Sequence, residues 1–514
     1  MTMAESLTSL LNERIAHSSD KVALRFGSSA LTWGEIAAHV RAFVTSLDEL
    51  PIVAQRRMVF LGKNSPACFV ALFGSSIARL VYVPVNWRLA AAEIESLLDD
   101  VDPCLVVVDR EFSGTVDLWN RRRAERVPVQ FSDSLWGSVV EPVRSSLPMR
   151  SESVDIAFQL YTSGTTGEPK GAMFDNGRNI VTLTTEIAPM WGFRHDDVSL
   201  ACLPLFHMGG LAWAIAGVAS DVTTVLVADF DPESLIDIGV RERVTTAFFV
   251  PAMITALLAF GERLSELTYL RRITYSGAPI APAVVGDAMK LIDCEFAQIY
   301  GLTEATGAFA QLDPVDHDPH GPRRRLLLSA GRPYPWVQVR VVDPVTEAVV
   351  PDGQPGEIWI RSSQTLVGYF GKPEETRSVL TRDSWLRTGD IGRIEDGYIF
   401  LLDRAKDVII SGGENVYPVE IEKVLAGYAP VAEAAVIGVP SAKWGETVKA
   451  VVVARSGYIV DPAELIAYTR SQLASFKCPT SVDVVMDLPR TATGKVRKGE
   501  LREQYWSELD RRIN

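Results

Sequence analysis

Residues 161–171 read Tyr-Thr-Ser-Gly-Thr-Thr-Gly-Glu-Pro-Lys-Gly, and this stretch decides how the rest of the chain is interpreted. Its three glycines let the backbone approach a bulky anion, and its Ser and Thr hydroxyls add hydrogen-bond donors without adding charge. Lys170 supplies a cation, and the apolar run 156–161 predicts a buried strand before the stretch. The pattern predicts a phosphate-binding loop that leaves a strand.

The loop differs from a Walker A loop, because Glu168 and Pro169 separate its last glycine from the lysine. A flexible Gly/Thr surface turn is the alternative that composition alone leaves open. The motifs further along the chain favour phosphate binding over a turn.

The chain has 514 residues and a formal net charge of −13. This length predicts two or more domains, and the acidic balance argues against non-specific nucleic-acid binding, which depends on excess Lys and Arg. The five cysteines are scattered, so they predict neither a zinc site nor a disulfide framework. The sequence shows no signal peptide and no apolar run long enough to span a bilayer. We therefore expect a protein of the reduced cytoplasm without an integral membrane segment.

Strands alternate with helical segments along most of the chain. Residues 81–85 and 105–108 have the composition of buried strands, and the alternation predicts an α/β fold of stacked βαβ-type sheets. From about residue 337, alternating and β-branched runs predict a small antiparallel, β-barrel-like subdomain. We expect a large N-terminal domain over residues 1–403 and a small α+β C-terminal domain over residues 404–514.

Seven further motifs follow the loop. They are residues 204–210 (PLFHMGG), 276–279 (SGAP), 300–307 (YGLTEATG), 388–390 (TGD), 403–407 (DRAKD), 412–415 (GGEN) and 489–495 (PRTATGK). Together with the loop, these motifs are similar to those of the adenylate-forming superfamily, which contains acyl-CoA synthetases, nonribosomal adenylation domains and luciferases. The resemblance covers nearly the whole chain, and its specificity lies in the matching order and spacing, because each motif alone is weak.

The resemblance implies a reaction in two halves. A carboxylate attacks the α-phosphorus of ATP, giving an acyl-adenylate and pyrophosphate, and a thiol then attacks the acyl carbon and releases AMP. Because a carboxylate and a triphosphate repel each other, cations and donors must be in place beforehand. The resemblance accordingly implies ATP, Mg²⁺ and, as co-substrate, CoA.

By this resemblance, the loop and Lys170 hold the β- and γ-phosphates, Thr303 donates to the α-phosphate, and Glu304 is the metal ligand. Asp390 resembles the ribose-binding carboxylate, and Arg404 resembles an arginine that contacts ribose or phosphate. The set implied for ATP and AMP is Thr162, Ser163, Gly164, Thr165, Thr166, Gly167, Lys170, Gly277, Ala278, Pro279, Tyr300, Gly301, Thr303, Asp390, Arg404 and Lys495. A helix cap at Thr303 and a simple turn at 388–390 are the alternative interpretations.

Lys495 resembles the lysine that bridges the substrate carboxylate and the α-phosphate, and with Thr303, Glu304 and His207 it makes the implied catalytic set. Lys406 takes the position of the hinge residue. The resemblance therefore implies that the C-terminal domain is mobile and rotates there between the two half-reactions.

The resemblance also implies an acyl pocket and a CoA site. The acyl pocket contains His207, Met208, Gly209, Gly210, Trp213, Val250 and Ile280, and its small residues predict a roomy apolar space that Trp213 closes. The CoA site contains Arg88, Ser411, Gly412, Gly413, Glu414, Trp444, Phe476 and Lys477. A place in a packed core is the alternative for both His207 and Trp444.

One position departs from the superfamily pattern. Relatives carry a histidine shortly after the loop lysine, and here Asn176 takes that place, near the expected mouth of the pocket.

Three functions stay open at this point. The preferred one is an acyl-CoA synthetase for an apolar fatty, aryl, terpenoid or steroid acid. The others are an adenylation enzyme that loads a carrier protein and a non-catalytic nucleotide-binding regulator. A homodimer is compatible with the resemblance, which does not fix the oligomeric state.

The assignment of Lys495 predicts separable defects. Lys495→Ala should abolish acyl-adenylate formation yet leave thioester formation from supplied acyl-adenylate intact, because the bridging charge is needed only in the first half-reaction. Single-turnover assays of each half-reaction measure this. Equal loss of both half-reactions would contradict the assignment.

Overall fold

The computed structural model describes residues 5–138, 140–163, 169–411, 414–441, 443–490 and 496–506, and the side chains of Ser163, Lys406, Glu414 and Asn415 lie outside this description. The chain divides into two compact units. The first unit contains residues 1–337 and 361–386, and the second contains residues 338–360 and 387–514.

The strands are β1 Val22–Phe26, β2 Ser29–Thr32, β3 Arg57–Leu61, β4 Val81–Val85, β5 Leu105–Val108, β6 Val129–Phe131, β7 Ile156–Ser163, β8 Pro169–Asp175, β9 Val198–Ala201, β10 Thr223–Leu226, β11 Thr246–Phe249, β12 Arg272–Tyr275, β13 Glu295–Tyr300, β14 Ala310–Leu312, β15 Arg332–Pro333, β16 Gln338–Val342, β17 Gly356–Arg361, β18 Gly368–Tyr369, β19 Leu386–Glu395, β20 Tyr398–Arg404, β21 Ile409–Ser411, β22 Glu414–Val416, β23 Val431–Ser441, β24 Gly445–Ala454 and β25 Ser481–Val485.

The α-helices are α1 Leu7–Ser18, α2 Trp33–Leu47, α3 Pro66–Ile77, α4 Ala91–Val101, α5 Ser113–Arg121, α6 Ala188–Met190, α7 Met208–Ala219, α8 Pro232–Arg241, α9 Pro251–Leu258, α10 Pro282–Leu291, α11 Pro373–Val379, α12 Pro418–Ala426, α13 Pro462–Gln472 and α14 Lys498–Trp506. Short 3₁₀ turns include Thr303–Ala305 and Ala405–Asp407.

The first unit contains two large sheets. The nine-stranded sheet has the order β15-β14-β13-β12-β11-β9-β10-β1-β2, and its strands from β13 to β1 are parallel. The seven-stranded sheet has the order β18-β8-β7-β4-β3-β5-β6. Helix α1 contacts both α3, which packs on the seven-stranded sheet, and α7, which packs on the nine-stranded sheet. The predicted α/β fold of stacked sheets is confirmed.

Helices α3 and α7 lie in the core of the first unit. Every residue of α3 is buried, and so are most residues of α7. A helix that is apolar on all sides belongs in the interior. Pro66 opens α3 directly after Ser65, where its missing N–H costs no helical hydrogen bond and its fixed φ suits the helix.

The second unit contains a four-stranded sheet, β16-β17-β19-β20, and a five-stranded sheet, β22-β21-β24-β23 with β25 paired to β24. Strands β19 and β20 are antiparallel, as predicted for this part of the chain. Helix α12 packs on β23, and Ile409, Ile421, Val436 and Val448 belong to their shared apolar cluster. Strand β20 runs across residues 403 and 404, the predicted domain boundary.

Candidate active site

Four neighbouring parallel strands of the nine-stranded sheet lead into predicted site segments. Strands β9, β11, β12 and β13 end at Ala201, Phe249, Tyr275 and Tyr300. The carboxyl ends of parallel strands share one edge of a sheet, and ligands of open α/β sheets bind at such edges. This edge collects the segments that contain His207, Val250, Gly277 and Glu304.

The segment after β12 has the backbone that its sequence predicts. Gly277 has φ +98°, a left-handed value that favours glycine. Gly277 and Pro279 are exposed, whereas Ala278 and Ile280 are partly buried. The segment therefore offers backbone and small side chains at the sheet edge, where residues 277–279 are implied to contact ATP and AMP.

Glycines hold the turn after β13 in a tight conformation. A Cβ on Gly301 would lie 1.6 Å from the carbonyl oxygen of Gly307, so only glycine fits there. Gly307 and Thr306 both have positive φ, at +101° and +52°. Tyr300, one of the residues implied for ATP and AMP, is buried with its ring centroid 4.6 Å from that of Phe309. The partly buried Thr303 and Glu304 project from this closed turn.

A buried polar cluster fixes the same turn from behind. The Asn179 side-chain amide donates to Thr306 Oγ1 at 2.8 Å and to the Gln364 carbonyl at 2.9 Å. Gln364 Nε2 donates to the carbonyls of Ala305 and Ala308, each at 2.7 Å. The three polar side chains are fully buried and hydrogen-bonded, an arrangement that rigidifies a core. Neither Asn179 nor Gln364 belongs to a motif that sequence analysis singled out.

Glu304 has a side-chain partner that the sequence did not reveal. The Tyr369 hydroxyl donates to Glu304 Oε1 at 2.8 Å. Burial, together with the negative charge of Glu304, raises the pKa of Tyr369 well above that of a free phenol. The phenol therefore stays protonated and remains a donor at neutral pH.

Lys170 presents a positive charge that has no counterion among the residues that the structure describes. Its side chain lies in β8 and is 8% exposed, with Nζ 5.7 Å from the ring centroid of Tyr369. Its ammonium makes no hydrogen bond or ion pair with the residues that the structure describes. A buried charge of this kind fits a site that receives an anion.

The predicted phosphate loop joins two antiparallel strands. Strand β7 carries Thr162 and ends at Ser163, and β8 begins at Pro169, which pairs with Ser163. The strand predicted before the loop is confirmed, whereas the second strand was not predicted. The intervening Gly164, Thr165, Thr166 and Gly167 lie outside the described residues.

The second unit pairs two residues that were predicted from separate motifs. Asp390 and Arg404 are directly opposite each other on β19 and β20, and Arg404 Nε lies 2.7 Å from Asp390 Oδ1. Asp390 is 7% exposed, and its own N–H donates to Thr388 Oγ1 at 3.1 Å. The motif 388–390 is thus part of a strand and not a simple turn.

His207 precedes helix α7 and has an unused ring nitrogen. Its Nε2 is buried and has no hydrogen-bond partner among the described residues. Burial, with a smaller contribution from the positive charge of Arg88, lowers the pKa of His207 to about 4. The imidazole is therefore neutral at physiological pH.

Aromatic rings surround Trp213 in the predicted acyl pocket. Its ring centroid lies 5.6 Å from Trp191, 4.5 Å from Phe193 and 5.5 Å from Phe248. Met208 lies on the same helix, and a Cβ on Gly307 would lie 3.7 Å from Met208 Cγ. The apolar character predicted for this region is present.

The first two glycines of α7, Gly209 and Gly210, have packing roles. A Cβ on Gly210 would lie 2.3 Å from the Pro204 carbonyl oxygen, and one on Gly209 would lie 3.3 Å from the Phe248 ring. Gly210 is thus required by a close backbone approach, which the prediction of a roomy pocket did not include.

Aromatic side chains with neighbouring lysines lie on the surface of the second unit. Trp444 is 48% exposed and Phe476 is 44% exposed, so the alternative of a core tryptophan is wrong. Lys443 Nζ lies 4.4 Å from the Trp444 ring, and Lys477 Nζ lies 5.8 Å from the Phe476 ring. Trp444 precedes β24 and Phe476 precedes β25, which are parallel, so both lie towards the same edge of that sheet.

The other residues implied for CoA lie in different environments, and several lie outside the described residues. Arg88 forms an ion pair with Asp229 at 2.7 Å, and its guanidinium lies 4.7 Å from the Trp87 ring. Ser411 is partly buried in β21. Gly412, Gly413 and Lys495 lie outside the described residues, as do the side chains of Glu414 and of Lys406, the predicted hinge residue.

Asn176 has a structural role that differs from the expectation. It is 1% exposed, its Nδ2 donates to the Glu152 carbonyl at 3.2 Å, and its Oδ1 accepts from the Leu7 N–H at 3.4 Å. Both partners lie outside the predicted site, so Asn176 has a structural role here, and its expected position near a pocket mouth stays a prediction. Asn179, three residues later, is the one that contacts the Glu304 turn.

Two family models match the chain, "AMP-binding enzyme" over residues 11–370 and "AMP-binding enzyme C-terminal domain" over residues 420–495. The first alone spans more than half of the sequence. The chain belongs to the AMP-binding enzyme family.

Relatives of the AMP-binding family match along nearly their whole length. The chain is 36% identical to the fatty acid–[acyl-carrier-protein] ligase ScoC of Streptomyces coeruleorubidus, covering 94% of this chain and 93% of that protein. It is also 36% identical to a feruloyl-CoA synthase of Amycolatopsis sp, covering 94% and 96%. The ATP-bound crystal structure of MatB from Rhodopseudomonas palustris superposes with a TM-score of 0.88 at 30% identity, covering 98% and 99%.

These matches confirm the resemblance to adenylate-forming enzymes and the enzyme class, an acid–thiol ligase.

Two features are absent from the described residues: a membrane-spanning helix and a cluster of metal ligands. No helix among them is long and apolar enough to cross a membrane, and they contain no group of three or more His, Cys, Asp or Glu side chains arranged to hold a metal ion.

The lowered pKa of His207 predicts a pH-dependent stability in this AMP-binding enzyme. Since its folded pKa of about 4 lies below the unfolded value of 6.5, the unfolded state takes up the proton first. The contribution is therefore favourable above pH 6.5 and is lost as the pH falls from 6.5 towards 4. Between about pH 7 and pH 5.5, the wild type should lose about 1 kcal/mol more unfolding free energy than His207→Gln.

Urea denaturation at the two pH values measures this difference. His17→Gln, which removes an exposed imidazole from helix α1, is the matched control and should behave as the wild type. Equal losses in the wild type and in His207→Gln would show that the imidazole is not held neutral by the fold.

Proposed function

We propose that the protein is an ATP-dependent acyl-CoA synthetase for an apolar carboxylic acid. The observation that carries the ATP part is the charge of Lys170, unpaired among the described residues, beside the Tyr369–Glu304 pair. An ammonium and a metal-binding carboxylate, joined through one side chain, suit a triphosphate that arrives with a divalent cation.

Glu304 is the residue that would hold Mg²⁺. Its carboxylate is partly exposed, and Tyr369 uses one of its two oxygens. A single protein carboxylate suits Mg²⁺, which takes most of its ligands from phosphate and water. When bound, the ion neutralises phosphate charge, while Lys170 and Thr303 bind the phosphate oxygens.

In the proposed first half-reaction, a carboxylate oxygen forms a bond to the α-phosphorus and the bond to pyrophosphate breaks. Lys495 offsets the repulsion between the two anions. Asp390 accepts the ribose hydroxyls, and its ion pair with Arg404 supports this role because it fixes the carboxylate.

In the proposed second half-reaction, the thiol loses its proton, attacks the acyl carbon and expels AMP. We infer that a domain beginning at residue 404 rotates about Lys406 between the two steps. The support for this inference is the resemblance of residues 403–407 to the superfamily's hinge motif.

CoA is the proposed thiol, on the basis of Trp444 and Phe476. Two exposed aromatic rings, each with a lysine beside it, suit an adenine base that carries phosphates. The similarity to ScoC, named as a ligase of fatty acid and acyl-carrier protein, supports a carrier protein as the second candidate.

Mass spectrometry of the products tests the proposed function. The protein is incubated with ATP, Mg²⁺ and a panel of fatty, aryl, terpenoid and steroid acids, with CoA in one arm and a phosphopantetheinylated carrier protein in the other. We expect an acyl-CoA from one class of acid. Acyl carrier protein without acyl-CoA would replace CoA by the second candidate, and AMP-binding without any acyl-adenylate would contradict the proposal.

The CoA assignment predicts a specific effect of Trp444→Ala. Stacking of a base on an aromatic ring contributes about 1–3 kcal/mol, so the KM for CoA should rise about fivefold or more. The acid-dependent exchange of pyrophosphate into ATP should not change, since it precedes CoA binding.

Tyr458→Ala is the matched control for this measurement. Tyr458 is 51% exposed and follows the end of β24, whereas Trp444 precedes its start. Its removal should leave both activities unchanged. An unaltered KM for CoA in Trp444→Ala would contradict the assignment.

A further inference from the structure

Residues 366–370 form a bridge between the two charged residues of the proposed ATP site. At one end the Leu366 N–H donates to the carbonyl of Glu304 at 2.8 Å. At the other end the Phe370 N–H donates to the carbonyl of Gly171 at 2.8 Å, next to Lys170 on β8. The bridge therefore ties the backbone of Glu304 to the strand that carries Lys170.

The side chain of Tyr369 makes a second connection between Glu304 and Lys170. Its hydroxyl donates to Glu304 Oε1 at 2.8 Å, and its ring centroid lies 5.7 Å from Lys170 Nζ. The side chain is held in place, since Tyr369 is 7% exposed and its residue pairs with Ala172 across β18 and β8. One rigid ring thus contacts both the carboxylate and the ammonium.

We propose that Tyr369 is a positioning residue of the ATP site, whose hydroxyl orients Glu304 towards the divalent cation and whose ring orients Lys170 towards the triphosphate. This inference rests on the proposed ATP-dependent function. Tyr369 contacts neither the substrate carboxylate nor the α-phosphorus, and it acts through Glu304 and Lys170.

The two contacts have different physical consequences. A carboxylate that accepts a hydrogen bond on one oxygen has lost rotational freedom, so the second oxygen is presented in one direction. A lysine that packs over an aromatic face keeps its charge while its flexible stem is restrained. Loss of the hydroxyl should lower the affinity for Mg²⁺. Loss of the whole ring should also lower the affinity for the triphosphate.

Tyr369→Phe and Tyr369→Leu separate these contacts in the full-length protein. The probe is α,β-methylene-ATP, a non-reactive analogue, and calorimetry measures its binding over a range of Mg²⁺ concentrations. Tyr369→Phe should raise the half-saturating Mg²⁺ concentration about tenfold while the affinity at saturating Mg²⁺ stays close to that of the wild type. Tyr369→Leu should also weaken binding at saturating Mg²⁺.

Binding of AMP tests the alternative that Tyr369 supports only the general structure of the site. AMP lacks the β- and γ-phosphates, so its affinity should be unchanged in Tyr369→Phe. Tyr82→Phe is the matched control, since Tyr82 is a buried tyrosine of the same sheet whose hydroxyl has no hydrogen-bond partner among the described residues. It should match the wild type throughout.

A double mutant tests whether the Tyr369 hydroxyl changes the Mg²⁺ dependence through Glu304. Glu304→Gln should itself raise the half-saturating Mg²⁺ concentration, and Tyr369→Phe added to it should cause no further rise, because the hydroxyl acts through that carboxylate. Additive shifts, or an unchanged Mg²⁺ dependence in Tyr369→Phe, would overturn the role of the hydroxyl. Equal behaviour of Tyr369→Leu and Tyr369→Phe would overturn the role of the ring.

These binding measurements use no acid, so they can be made before the acid substrate is identified. If the wild type binds the analogue with Mg²⁺ and Tyr369→Phe behaves identically, this inference fails while the proposed function stands. If the wild type binds neither the analogue nor AMP, the proposed function fails first.

Discussion

The positive charge of Lys170, which no carboxylate of the described chain neutralises, is the constraint on which the proposed site depends. Burying a charge without a partner costs several kcal/mol, so such a residue is tolerated where an anion binds. Lys170 is 8% exposed and lies on a strand that the bridge 366–370 ties to Glu304. The placement of a cation and a carboxylate on linked segments supports the proposed triphosphate site.

The sheet topology explains how distant segments converge. His207 and Glu304 are nearly a hundred residues apart, but strands β9 and β13 belong to the same parallel run and end at one edge. The close contact between Gly301 and Gly307 then folds the Glu304 turn back on itself. Because the turn is also fixed by Asn179 and Gln364, its geometry is set before any ligand arrives.

Local patterns predicted much of the fold, and contacts between distant segments could not be predicted. The hairpin of β1 and β2 follows from the turn at residues 27–28, and the helix that starts at Pro66 follows from a proline at its first position. Tyr369 has no such signal, since its partner Glu304 is 65 residues away. Asn176 and Asn179 are alike in sequence, and only the structure shows which one reaches the site. The roles of the site residues stay predictions.

Oxygen-18 tracing tests whether this enzyme activates its acid by attack on the α-phosphorus of ATP. The acid is labelled in its carboxylate and converted to the thioester in the presence of the thiol. We expect one heavy oxygen in AMP and none in pyrophosphate, because the carboxylate oxygen bonded to the α-phosphorus leaves with AMP. Heavy oxygen in pyrophosphate or phosphate, with none in AMP, would show attack at another phosphorus and contradict the account.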